Sequence, residues 1–193
     1  MDDISHTRFM YKDKIAFALI PKNASMSMSR ALTLDSKWDT ISNETGFLKG
    51  DWTYYTLIRN PIDRWVSAIC QIYFGYESLD SAEDKYLSKV NKLMDTTTYL
   101  EKFIKNGDDD PHTKKQSWYL RNLPNKKLFK LENLNCLQKE LNLLCKIKKI
   151  NAAIGHRALV KKRMFEILDI KPKYLDRLKE LYSKDIILYN EAK

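Results

Sequence analysis

Residues 17–28 read FALIPKNASMSM, and their reading decides the fold. Residues 14–20 are nearly all apolar after Lys14, the pattern of a strand covered on both faces. Pro21 stops that strand. From Ala24 onward the residues tolerate a helix, and Ser25 and Ser27 place hydroxyls near its first turn. A helix N-terminus carries unpaired N–H groups and a partial positive charge, so it suits an anion. Lys22, just ahead of that turn, adds a full charge. The segment predicts strand, tight turn and helix. The turn holds a phosphate-like group or, on the plainer reading, an ordinary surface lysine.

Residues 53–69, TYYTLIRNPIDRWVSAI, repeat the architecture. A β-prone run ends at Arg59. Asn60 can cap a helix and Pro61 fits its first position. Ser67 then lies about two turns into that helix. Arg59 and Ser67 reach one anion if the helix packs back on the sheet. Strands alternating with helices argue for an α/β sandwich with a mostly parallel sheet. No GK[ST] occurs in the chain, and Lys22 precedes its loop instead of following a glycine-rich one. That argues against an ordinary ATPase or GTPase.

Taken together, the two stretches resemble the PAPS-dependent sulfotransferases, PAPS being 3′-phosphoadenosine 5′-phosphosulfate. PKNASMS looks like the 5′-phosphosulfate loop of that family. RNPIDRWVSA looks like its 3′-phosphate motif, with Ser67 eight residues after Arg59. DPHTKKQSWYL (residues 110–120) is similar to the His-x-x-x-Gln segment of the carbohydrate, Golgi-type branch. LFKLENL (128–134) is similar to its strand ending in a Glu-x-Leu turn, and LYSKDIILYN (181–190) to its closing Tyr-x-x-Asp helix. The match covers most of the chain in the expected order. One departure is Ala24, at a position often glycine.

The resemblance implies a single sulfotransferase domain over 1–193. It implies a three-layer α/β sandwich with a mostly parallel sheet, related to the P-loop nucleotide kinases. It implies sulfuryl transfer from PAPS to an acceptor hydroxyl, on a carbohydrate, without a metal. Lys22 is then the cation at the phosphosulfate. The backbone of Asn23, Ala24, Ser25, Met26 and Ser27, with the two serine hydroxyls, surrounds the 5′-phosphate. Arg59 and Ser67 hold the 3′-phosphate. Some carbohydrate sulfotransferases take the hydroxyl proton on a glutamate shortly after the phosphosulfate loop, others on a histidine. Glu44 is the first candidate here and His112 the second. KINAAIG faintly resembles a loop that closes over the nucleotide, which makes Lys148, Lys149 and Asn151 minor candidates.

The whole chain sets wider bounds. Its 193 residues suffice for one domain with a real core. A net charge of +9 favours an anionic partner. The lysines are interspersed with acids and no compact basic tail stands out, so nucleic acid is not expected. The start MDDISHTRFM has no apolar core and does not read as a secretory signal. No apolar run approaches a membrane span. The family's membrane anchor is missing, so the chain resembles the catalytic domain alone. Cys70, Cys136 and Cys145 are not at metal spacing and read as reduced, mostly buried thiols in a cytoplasmic protein. Two other functions remain open: a kinase-like nucleotide enzyme, and a non-catalytic basic protein that binds nucleic acid or an acidic glycan.

Along the chain, residues 1–13 read as a polar lead-in. Residues 35–53 read as a loop carrying Trp38, Glu44, Lys49 and Trp52. Residues 76–107 read as two helical pieces whose apolar stripe serves packing. The acids at 108–110 read as a solvated turn. Residues 127–131 read as a third strand and 133–144 as an amphipathic helix. Pro172 opens a last helix near 174–182, and His156 reads as a surface or loop residue.

Overall fold

The computed structural model describes residues 8–35, 38–41, 51–74, 101, 104, 110–143, 147 and 156–193. The strands are β1 (Arg8–Lys12), β2 (Ile15–Leu19), β3 (Asp39–Ile41), β4 (Thr53–Ile58) and β5 (Lys126–Lys130). The described helices are α1 (Ser25–Leu34), α2 (Pro61–Phe74), α3 (Gln116–Leu120), α4 (Leu134–Glu140), α5 (His156–Ile170), α6 (Pro172–Leu181) and α7 (Ser183–Glu191), with a single 3-10 turn at Leu131–Asn133. The contacts divide into two compact units interleaved along the sequence. The first comprises Met1–Asn60, Lys115–Ile150 and Lys184–Lys193, the second Pro61–Lys114 and Asn151–Ser183.

The first unit is built on a five-stranded sheet of order β3-β1-β2-β4-β5. β2, β4 and β5 pair in parallel, while β1 runs antiparallel to both β2 and β3. Of the polar lead-in expected at 1–13, residues 1–7 lie outside the described residues and Arg8–Lys12 form β1 instead. RFMYK carries one inward residue, Met10, at 1% exposure between outward or half-covered neighbours. Phe9, Met10 and Tyr11 are three apolar residues in a row, so the segment shows no alternation until β2 supplies its partner. The hairpin turns on Asp13 and Lys14, because Lys12 faces Ile15. Asp13 takes φ 52 there, a conformation aspartate tolerates. β3 likewise falls inside the stretch expected as a loop, and β1 is its partner.

Both faces of the sheet are covered. Phe17, Leu19, Tyr55 and Leu57 point to one side, where they meet Met28, Ala31 and Leu32 of α1 and Leu134 and Leu137 of α4. Ala16, Ala18, Ile20, Tyr54 and Ile58 point to the other, where they meet Tyr119 and Leu120 of α3 and Ala192 just past α7. Alternation along each strand therefore produces two cores, and each buried large apolar side chain contributes roughly 1.5–3 kcal/mol relative to exposure. Burial also pushes the Tyr54 phenol up from its ordinary range. Backbone bonds from Lys193 N–H to the Leu128 carbonyl and from Lys130 N–H to the Lys193 carbonyl, at 3.0 and 2.7 Å, cover part of the β5 edge.

Asp185 of α7 is fully buried. Its Oδ2 accepts the Gln116 N–H at 2.6 Å and its Oδ1 accepts the Ser117 N–H at 2.8 Å. A distant carboxylate thus satisfies two amides that open α3, which no local side chain caps. Asp185→Ala leaves both amides buried without an acceptor. It is expected to lower unfolding stability by about 2–4 kcal/mol, with Asp185→Asn losing less. Urea denaturation reads this directly, and a change under about 1 kcal/mol for the alanine variant would contradict it.

The second unit has a helical core. Trp65, Val66 and Ile69 of α2 pack with Val160, Met164, Ile167 and Leu168 of α5, Tyr174 and Leu178 of α6, Tyr182 and Ile104. Arg64 is 1% exposed, and its Nη1 donates to the Lys114 carbonyl at 2.7 Å. The Tyr182 hydroxyl donates to the Thr113 carbonyl at 2.5 Å. α5 begins at His156, so that residue opens a helix. Of the helical stretch expected at 76–107, only Glu101 and Ile104 are described, and both are helical. Cys70 is half-buried and Cys136 is exposed on α4, an exception to the mostly buried thiols expected; neither forms a disulfide. Cys145 lies outside the described residues. Among the described residues, no helix is long and apolar enough to cross a membrane.

Candidate anion-binding site

β2 and β4 are adjacent and parallel, with Phe17 opposite Tyr55. Their C-terminal ends therefore lie on the same edge of the sheet. Lys22 follows β2 on that edge and Arg59 follows β4. Ligands of open α/β sheets sit at the carboxyl ends of the strands. The two basic residues are joined directly: Arg59 Nη1 donates to the Lys22 carbonyl at 3.2 Å.

The turn between β2 and α1 has an unusual backbone. Lys22 has φ 69 and Ala24 has φ 56, while Asn23 between them does not have a positive φ. Left-handed residues in a turn ahead of a helix are a recurring feature of anion-binding concavities. α1 starts immediately after it, and its first i→i−4 bond runs from Met28 N–H to the Ala24 carbonyl at 2.9 Å. The amides of Ser25, Met26 and Ser27 thus precede the helical ladder. No residue with an acidic side chain stands in this first turn. Ala24 adopts a left-handed conformation that glycine reaches at lower cost. A left-handed non-glycine residue costs about 1–3 kcal/mol and persists where its surroundings over-determine it.

Asn23 supplies that determination. Its side chain is 2% exposed. Nδ2 donates to the Leu57 carbonyl at 2.7 Å and to Gln116 Oε1 at 2.6 Å. Its backbone N–H donates to the Ile20 carbonyl at 3.2 Å, closing the turn. This residue therefore braces the loop with its side chain and commits its amide to the turn itself. Ser27 is buried, Ser25 is half-buried and Met26 is exposed. The half-buried Lys22 stands at the head of the loop.

The sequence shows Gln116 only as the end of a His-x-x-x-Gln pattern and assigns it no role at the site. The residue is fully buried, and its amide bonds both Asn23 and the peptide of Arg59, through Arg59 N–H to Oε1 at 3.0 Å and Nε2 to the Arg59 carbonyl at 2.9 Å. The available signal was that pattern standing ahead of an apolar run; the partners are 93 and 57 residues away.

The remaining predicted residues do not gather in the first unit. Ser67, half-buried on α2, and His112 belong to the second unit. His112 lies in a turn ahead of α3. Its Nδ1 is 2.9 Å from Asp110 Oδ1, and its backbone N–H donates to the same oxygen at 2.7 Å. A proton on Nδ1 directed at Asp110 leaves Nε2 as the acceptor nitrogen, and Gln71 Nε2 lies 3.3 Å from it. Glu44, Lys49, Lys148, Lys149 and Asn151 lie outside the described residues. Asp110, expected as a solvated turn acid, bonds to the imidazole. Among the described residues, no group of three or more His, Cys, Asp or Glu side chains is arranged to hold a metal.

A second charged cluster lies between β4, β5 and α4. Lys127 Nζ is 2.7 Å from Glu140 Oε1 and 3.0 Å from the Tyr55 hydroxyl. Bonding to Glu140 and then to Tyr55 pushes the Lys127 ammonium above the usual lysine range, and the same bond to Lys127 holds Glu140 below the usual carboxylate range. With every charged group in this cluster already paired, it reads as a stitch between strand and helix. Comparison of the chain with protein-family models, with curated proteins and with solved structures finds no match in any of the three.

Proposed function

We propose that the chain is a PAPS-dependent sulfotransferase that sulfates a carbohydrate hydroxyl, on a fold of the P-loop nucleotide-kinase type. The observation that carries the reading is the Lys22–Ala24 loop ahead of α1, joined to Arg59 at the end of the adjacent parallel strand. Two cationic residues beside one sheet edge match a nucleotide with phosphates at both ends. The loop residues fit the 5′-phosphosulfate, since a compact lysine and the amides at a helix start both favour oxyanions. Arg59 fits the 3′-phosphate, which arginine can hold in a bidentate manner.

In the reaction, the bond between sulfur and the bridging oxygen of the 5′-phosphate breaks as the acceptor oxygen bonds to sulfur. The acceptor proton passes to a protein base, and PAP, the 3′,5′-bisphosphate product, leaves. Lys22 neutralises the charge that grows on the bridging oxygen. By analogy with phosphoryl transfer, positioning and charge neutralisation do most of the work. For the base, the Asp110–His112 pair supports His112, whose imidazole is held in one tautomer by its carboxylate partner. Glu44 remains the rival.

Thermal shift with PAP, with ATP and magnesium, and with DNA tests the reading. PAP without a metal is expected to raise the melting temperature most, because a ligand at about 100 times its dissociation constant adds about 2.7 kcal/mol. A preference for ATP with magnesium would point to a kinase. A shift with DNA alone, steeply reduced by salt, would point to a nucleic-acid-binding protein.

Arg59 allows a sharper test. Arg59→Ala removes a guanidinium that also holds the Lys22 carbonyl, so binding of both PAP and adenosine 5′-phosphate is expected to weaken. The loss for PAP should exceed the loss for the nucleotide lacking the 3′-phosphate by about 10-fold or more, the worth of a charge-assisted pair. Equal losses in calorimetry would make Arg59 a loop brace only. The same comparison with Ser67→Ala tests the role the resemblance gives to that serine.

A further inference from the structure

We propose that Gln116 is the positioning residue of the anion site, setting the Lys22 loop and the Arg59 peptide through one side-chain amide. The inference rests on the sulfotransferase reading for the identity of the anion but not for the positioning itself.

The hydrogen bonds admit only one side chain. Oε1 accepts from Asn23 Nδ2 at 2.6 Å and from Arg59 N–H at 3.0 Å, while Nε2 donates to the Arg59 carbonyl at 2.9 Å. The site asks for an acceptor of two bonds and a donor on one planar group, at zero exposure. Glutamine supplies that set. Glutamate would set an acceptor against the Arg59 carbonyl, and leucine would remove all three bonds. The amide is itself fixed from below, because Asp185 holds the Gln116 and Ser117 N–H groups.

The network is not what simple packing would select. Asn23 Nδ2 has two carbonyl-type acceptors, which fixes the orientation of its amide and leaves Oδ1 buried with no hydrogen-bond partner among the described residues. A buried acceptor without a donor lowers stability, so an apolar contact would serve the core better. What the polar arrangement provides is geometry. Asn23 sits between the two left-handed residues Lys22 and Ala24, and Gln116 holds it against Leu57 and Arg59 of the neighbouring strand. Release of Asn23 lets the loop relax toward ordinary φ values, and Lys22 and the start of α1 then lose their fixed placement.

The test follows backbone amide exchange at residues 22–25 without nucleotide, and PAP affinity by calorimetry. It compares wild type, Gln116→Leu, Gln116→Glu, Asn23→Ala and the Gln116→Leu/Asn23→Ala double variant. Loop exchange is expected to quicken by about tenfold or more in both Gln116 variants while the amides of β2 and β4 hold, and PAP to bind about 10–100-fold more weakly. The double variant should lose less than the sum of the two single variants, since the residues share one contact. Gln116→Glu keeps chain length and the acceptor for Asn23, and carries the test if the leucine variant does not fold. Loop exchange within about threefold of wild type in the folded variants overturns the inference, as does quickened exchange with unchanged PAP affinity. Quickened exchange where no form binds PAP, wild type included, keeps the positioning role and removes the sulfotransferase reading.

Discussion

Lys22→Ala is expected to lower kcat by about 10²–10³-fold, the worth of one group aimed at developing charge, and to weaken PAP binding as well. Lys22 leads the loop from the end of β2 and stands half-buried, with its φ of 69 set by the turn. Its carbonyl receives Arg59, so the residue is placed by backbone and neighbours together, and the ammonium is the part the substitution removes. Fold should survive, because the backbone contacts remain. The control is Lys22→Arg. It keeps the charge but spreads it over a planar fork that does not match a single bridging oxygen, so part of the activity should return. Turnover of Lys22→Ala within about threefold of wild type would remove the loop from the mechanism.

His112→Asn is expected to lose about 10²–10⁴-fold in kcat with PAP affinity nearly intact, the signature of a general base acting on the acceptor hydroxyl. The argument runs through Asp110. A carboxylate 2.9 Å from Nδ1 fixes the tautomer and steadies the imidazolium that forms when Nε2 takes a proton. Asp110→Asn should therefore reproduce much of the loss, again in kcat and not in nucleotide binding. Glu44→Gln is the competing variant. If it shows the larger loss in kcat while His112→Asn changes mainly the acceptor KM, the proton goes to Glu44 and His112 orients the acceptor.

Two strong local patterns were legible without a structure. The apolar run before Pro21 and the one before Arg59 became β2 and β4, and the small residues after Ala24 and the Asn60–Pro61 signal became α1 and α2 within a residue or so. These patterns are written in consecutive residues, where burial on both faces and capping chemistry leave their mark. β1 and β3 were not legible. Each draws its stability from a partner strand, and the consecutive apolar residues Phe9, Met10 and Tyr11 of RFMYK show no alternation that declares a face. α5 was missed for a related reason: its charges are distributed around the helix, and only packing in the second unit singles out Val160, Met164, Ile167 and Leu168.

Lys22, Arg59 and the helix start were readable because anion recognition needs those residue types beside those element ends. The order of the strands was not. Nothing local states that β2 and β4 are neighbours, yet that adjacency sets Lys22 and Arg59 on one edge. Nor does any local signal state that Asn23, Gln116 and Asp185, from three remote segments, share one buried set of hydrogen bonds. The sequence by itself determined the elements and the chemistry at their ends, because propensity, capping and charge act over a few residues. Tertiary structure alone decided which ends meet and what holds the left-handed loop in place, because hydrogen bonds between residues dozens of positions apart form only once the sheet has brought them together.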